Sequence, residues 1–83
     1  MKFRFISDPG HGWLEVPIQL IDVLGIKDKI SQYSYRRGFA AYLEEDCDAP
    51  EFIRACRAQG ITVEYDDIYE EQQSLIRRYQ RFA

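Results

Sequence analysis

Residues 3–17, Phe3-Arg4-Phe5-Ile6-Ser7-Asp8-Pro9-Gly10-His11-Gly12-Trp13-Leu14-Glu15-Val16-Pro17, decide how the rest of the chain is read. Phe3, Arg4 and Phe5 alternate apolar and polar, which predicts a strand with both phenylalanines inward. Asp8 to Gly12 carries turn chemistry, because Pro presets φ and each glycine reaches positive φ without a Cβ clash. Trp13 to Val16 reads as a second short strand, returning antiparallel to the first. Pro17 then suits the opening turn of a helix, where its missing N–H goes unused. The chain therefore begins β-β-α.

Working outward, Ile18, Ile21 and Leu24 share one face of a short helix that Gly25 stops. Ile26 and Ile30 pack as a further half-turn, with Lys27, Asp28 and Lys29 in water. Tyr33-Ser34-Tyr35 and Phe39 to Leu43 flank Arg36-Arg37-Gly38, a β-hairpin signal with Gly38 at a positive-φ position. Asp48 with Glu51 three residues on is an acidic variant of the capping box. The helix that follows puts Phe52, Ile53 and Cys56 on its apolar face and stops at Gly60. Ile61, Val63 and Tyr65 alternate with Thr62 and Glu64, a strand with one wet face.

The last segment has two readings. Ile68, Leu75, Ile76 and Tyr79 fall near one helical face, preceded by Asp66, Asp67, Glu70 and Glu71 and followed by Arg77, Arg78 and Arg81. That polarity complements a helix dipole and predicts a terminal helix. The competing arrangement is an extended tail with Ile76 tucked under a sheet.

The expected order is β-β-α-β-β-α-β. This is an α+β protein, a small, mostly antiparallel sheet with two or three helices on one face. Treating one N-terminal strand as an addition leaves β-α-β-β-α-β, the ferredoxin-like order. With 83 residues and neither repeat nor linker, residues 1–83 form a single domain. Apolar residues make up 46%, and five Phe, six Tyr and Trp13 supply a core, so disorder is not expected.

The net charge of −3 excludes a general nucleic-acid coat, which needs a basic footprint. No run approaches the ~20 apolar residues of a membrane span, and the first apolar stretch is too short for a signal-peptide core. A cytoplasmic protein is expected, with Cys47 and Cys56 as free thiols, the second in the core.

Charge is unevenly placed. Ten of the fourteen acidic residues lie between Glu44 and Glu71, against two basic ones, Arg54 and Arg57. Glu44, Glu45, Asp46 and Asp48 are too irregularly spaced for an EF-hand, and Asp48 and Glu51 are assigned to helix capping. The remaining carboxylates make a solvated acidic corner. If Glu64, Asp66, Asp67, Glu70 and Glu71 join the same face, they can dock on an Arg/Lys-lined groove built for nucleic acid.

His11 is the only histidine. Asp8 is placed to orient it, which would allow a general base or hydrolase centre. A lone His is no zinc site, and the simpler reading is an exposed loop side chain or one stacked on Trp13. His11 and Trp13 at a rigid turn also make good contact residues. Arg36 and Arg37 near Tyr33 and Tyr35, and Arg77, Arg78 and Arg81 near Tyr79, are two small patches that could combine stacking with phosphate binding in a nucleic-acid accessory protein; a solvated turn and a dipole-complementing helix end explain them equally well. No nucleotide loop, zinc-protease or serine-hydrolase motif occurs. No enzyme activity and no cofactor are expected.

Ser7-Asp8-Pro9-Gly10-His11-Gly12-Trp13, then Val16-Pro17, Tyr33-Ser34-Tyr35, Gly38 and Ala41-Tyr42-Leu43-Glu44-Glu45-Asp46-Cys47-Asp48 resemble a family of short proteins carried by phages, plasmids and prophages. The likeness covers about residues 5 to 60 and is similar to type I anti-CRISPR proteins. It implies an inhibitor that binds the host CRISPR effector complex, a multi-subunit type I assembly, and prevents target DNA from docking. It transfers no catalytic residues. The expected contacts are the eight carboxylates Glu44, Glu45, Asp46, Glu64, Asp66, Asp67, Glu70 and Glu71, with His11 and Trp13. A monomer or weak homodimer is expected.

Overall fold

In the computed structural model, which describes residues 1–83, the opening hairpin pairs β1 (Lys2–Ser7) antiparallel with β2 (Gly12–Pro17), Phe5 opposite Leu14 and Ile6 opposite Trp13. Gly12 is needed where the strands begin to pair, since a Cβ there would sit 2.5 Å from the Phe5 ring. Pro17 ends β2 and caps the seven-residue helix α1 (Ile18–Leu24), which Gly25 closes at φ 72°. The hairpin of β3 (Tyr35–Arg37) and β4 (Ala40–Glu44) turns through Gly38 at φ 59°, the left-handed region the sequence anticipated.

Helix α2 (Asp48–Ala58) and strand β5 (Glu64–Tyr69) complete the expected order, and a two-residue strand β6 (Gln80–Arg81) is added at the end. The sheet order is β5-β1-β2-β4-β3-β6, antiparallel throughout except for β5 on β1. Without β1, the order β5-β2-β4-β3 is the split β-α-β arrangement of the ferredoxin-like order. The extra strand is inserted between β5 and β2 instead of being appended to an edge.

Strand alternation divides the sheet into two faces. Phe3, Leu14, Val16, Ala41 and Leu43 point toward the helices and close over Ile21, Phe52 and Cys56, the main core. Phe52 meets Phe3 edge-on at 5.5 Å. Burying one such ring contributes about 1.5–3 kcal/mol. Ile6, Trp13 and Tyr42 point the other way and are covered by Ile76 from the C-terminal tail.

The tail is where expectation and structure part. The terminal helix does not form. One 3₁₀ turn (Leu75–Arg78) runs across the face away from the helices and leads to β6, which pairs with β3. The extended alternative, with Ile76 under the sheet, is the arrangement found. The physical reason is that Glu64–Tyr69, whose Ile68 and acidic residues the helix required, pairs with β1 and satisfies an otherwise bare strand edge.

Two smaller expectations also fail. The fifth strand begins at Glu64, three residues late, and Ile61 and Val63 pack against the core from the preceding loop. Asp48 does not cap its helix. Its Oδ2 accepts from the Ser31 backbone N–H at 3.0 Å, from the Ser31 hydroxyl at 2.7 Å and from the Ser34 hydroxyl, fastening the loop before β3. Glu51 pairs with Arg54 and Lys29. Helix α2 is nevertheless polarised as a dipole favours, with Asp48 and Glu51 in its first turn and Arg57 in its last. Both cysteines are free, Cys56 in the core and Cys47 exposed. No helix is long and apolar enough to cross a membrane.

Candidate functional site

The loop between β1 and β2 is organised by Asp8, whose side chain is fully buried. Oδ1 accepts from the Gly10 and His11 backbone N–H groups and from Arg77 Nη2. Oδ2 accepts from the Ser74 backbone N–H and Arg77 Nε. The guanidinium holds this carboxyl far below the usual range, against a desolvation penalty, with the backbone donors adding to the effect. Asp8 therefore ties the tail to the first loop. With both oxygens so engaged, it does not orient the His11 imidazole, as the sequence reading expected. The imidazole is exposed, 6.1 Å from the Trp13 ring in a tilted arrangement.

Trp13, expected as a contact residue, is instead buried at 2% exposure with Arg77 over its ring. Together with His11, Tyr35, Glu44 and Arg81 it lines a shallow groove of about 250 Å³. That groove is of mixed sign, and its Arg77 is already bound by Asp8. No group of three or more His, Cys, Asp or Glu is arranged to hold a metal ion.

Strand alternation separates the basic candidates. Arg36 lies opposite Ala41 on the helix face and stacks on Phe82. Arg37 stacks on Tyr79, Arg81 on Tyr35 and Arg77 on Trp13, all on the other face. Arg81 also donates to the Gln32 carbonyl, and Arg78 is exposed. The two expected patches thus become one row of guanidinium–aromatic stacks, without Arg36. Tyr35 and Tyr79 already carry the chain's own guanidinium groups, while Tyr33 stays exposed without one.

The carboxylates are arranged by the register. Glu44 aligns through Trp13 and Ile6 with Ile68, so the Glu44–Asp46 turn and the Glu70–Glu71 stretch leave the same end of the sheet. Three strand spacings separate β4 from β5, about 14 Å. On the helix face, Glu45 and Tyr65 line one groove with Phe5 and Ile53 between them. Asp67 shares that face of β5, whereas Glu64 and Asp66 point to the other, so a single acidic face holding all eight does not form.

Glu64 lies toward the Lys2 end, and Glu70 faces Arg4 across a groove floored by Ile6 and Tyr42. Of the eight, only Asp66 forms an ion pair, with Lys2 at 3.2 Å. The remaining bridges use Asp8, Glu15 and Glu51. Arg4 is held by Glu15 through two hydrogen bonds of 2.8 Å, which keep the Glu15 carboxyl low. Beside them Tyr42 is pushed up to about 12, by burial first and by the Glu15 carboxylate second.

What the sequence reading missed was how far β5 runs and that it is an edge. Residues 66–69 read as the acidic start of a helix, yet with Glu64 and Tyr65 they form an exposed outermost strand. The only available signal was Tyr65, Ile68 and Tyr69, β-formers set among the carboxylates. No family model, curated protein or solved structure matches the chain.

Proposed function

We propose that this protein is an anti-CRISPR inhibitor that binds a type I surveillance complex and keeps target DNA from docking, acting by protein–protein contact and not by catalysis. One observation carries the reading. Seven of the eight singled-out carboxylates have no ion-pair partner, although the chain has eleven Lys and Arg. Unpaired negative charge at the Glu44–Asp46 turn and along β5 suits an Arg/Lys-lined surface built to receive phosphates. The resemblance of residues 5 to 60 to proteins of mobile elements supplies the class of target.

Each exposed pair with such a partner is worth only about 0–1 kcal/mol. The acidic groups therefore act mainly on encounter rate, and exposed side chains such as Tyr65 and Tyr69 slow dissociation. The test is the triple variant Glu45→Lys, Asp67→Lys, Glu71→Lys, assayed for inhibition of target-DNA binding by a purified type I complex. All three side chains are exposed, so the fold is expected to survive, checked by circular dichroism. Inhibition should be lost. A folded triple variant that inhibits as well as the parent refutes the reading.

A further inference from the structure

Strand β5 is the outermost strand on its side of the sheet, six residues long and paired only with β1. The Glu64 N–H bonds to the Met1 carbonyl and the Glu70 N–H to the Ser7 carbonyl. Parallel pairing alternates, so Glu64, Asp66, Ile68 and Glu70 turn their main-chain groups toward β1. Tyr65, Asp67 and Tyr69 therefore aim their N–H and C=O groups away from the sheet, leaving three donors and three acceptors at strand spacing. No helix or loop covers them, and Tyr65 and Tyr69 are 49% and 64% exposed. The opposite edge is different, since β6 offers two residues.

We infer that the β5 edge is a strand-addition site for an extended, lysine- or arginine-bearing segment of a partner protein, an inference that rests on the proposed function and specifies its contact. Charge complementarity selects that occupant. Glu64 and Asp66 lie on one side of the strand, Asp66 paired with Lys2 of β1, and Asp67 on the other, with Glu70 and Glu71 just beyond and no basic residue within the segment itself. A bound strand therefore meets carboxylates on both of its faces, while Tyr65 and Tyr69 offer flat apolar contact on the helix side. Charge on an edge ordinarily keeps like edges apart. Here it rejects a second β5, which would set carboxylates against carboxylates. The two-residue β6 of another copy is too short to cover the edge. Main-chain bonds then supply register and affinity, and alternate side chains supply selectivity.

The probe is a ten-residue capped peptide of alternating lysine and threonine, titrated into the ¹⁵N-labelled full chain. It is compared with the same peptide N-methylated at every backbone nitrogen, which keeps the charges and removes the donors. Strand addition predicts that the amides of Tyr65, Asp67 and Tyr69 shift and become protected from exchange, with affinity at least ten-fold weaker for the methylated peptide. On the protein side, Asp67→Pro removes an outward N–H without touching the ladder to β1, and Asp67→Asn matches its loss of charge. The proline variant should bind at least ten-fold more weakly than the asparagine variant. No binding, equal binding of the two peptides, equal binding of the two variants, shifts mapping elsewhere, or β5 amides already protected by self-association overturns the inference. Loss of strand addition with inhibition intact would sink this contact alone. Intact inhibition by the triple lysine variant would sink the functional reading itself.

Discussion

At the scale of single residues, Asp8 has the most to lose. Five donors converge on its two oxygens, and three of them, from Ser74 and Arg77, belong to the tail. Replacing it with Asn keeps the shape but leaves the partly buried Arg77 guanidinium without its counter-charge. Breaking a buried pair from one side costs about 3–5 kcal/mol, and the partial exposure of Arg77 places Asp8→Asn near the lower end, about 3 kcal/mol. The pH dependence has a definite sign. The folded carboxyl is held below the unfolded value of about 3.9, so its contribution is complete above that pH and is lost as pH falls through the folded value. The gap between thermal melts of parent and Asp8→Asn should therefore be full near neutrality, begin to narrow only below about pH 4, and close as pH falls through the folded value. A gap that stays constant down to acidic pH would show that the charge on Asp8 contributes nothing.

At the scale of elements, the tail separates what residue order specifies from what tertiary pairing decides. A terminal helix would bury Leu75 and Ile76 together. The strap found here buries Ile76, at 3% exposure, and leaves Leu75 at 63%. Ile76→Ala should cost about 2–4 kcal/mol in chemical denaturation, whereas Leu75→Ala should stay within about 0.5 kcal/mol of the parent. Comparable losses at both positions would contradict the strap. The opening hairpin, Gly25, Gly38 and Gly60, and the apolar face of α2 were legible because each is set by local sterics or by period. The choice of strap over helix, the C-terminal part of β5 and the role of Asp48 were not, because their partners lie far along the chain. Asp8 reaches Ser74 and Arg77, β5 reaches β1, and Asp48 reaches Ser31 and Ser34. Of the candidate contacts, the unpaired carboxylates other than the half-buried Glu44 kept the solvent exposure that composition suggested. Trp13 and Arg77 were withdrawn from the surface reading by burial and by Asp8, which residue type alone does not disclose.

At the scale of the whole molecule, the sheet is polarised across its width. Its β5 edge is acidic and tyrosine-bearing, and the region around β3 and β6 carries Arg36, Arg37, Arg78 and Arg81. Arg37, Arg77 and Arg81 with Tyr79, Trp13 and Tyr35, all on the face away from the helices, look like the makings of a single-strand nucleic-acid platform, on which bases stack and guanidinium groups hold phosphates. The internal stacks argue otherwise. On this face a base can stack on the covered side of Tyr35 or Tyr79 only by displacing Arg81 or Arg37, which forfeits a contact worth about 0.5–1 kcal/mol each. Arg77 is unavailable while Asp8 holds it. Any strand lying on this face would also feel the net charge of −3, most of it at the far edge and little screened when salt is low. A fluorescently labelled random oligonucleotide should therefore show no anisotropy change with the protein even at low ionic strength, where phosphate contacts are strongest. Saturable binding that weakens as salt is added, and that Arg37→Ala with Arg81→Ala removes, would establish the arginine-rich face as a nucleic-acid surface and displace the acidic edge as the working end of the molecule.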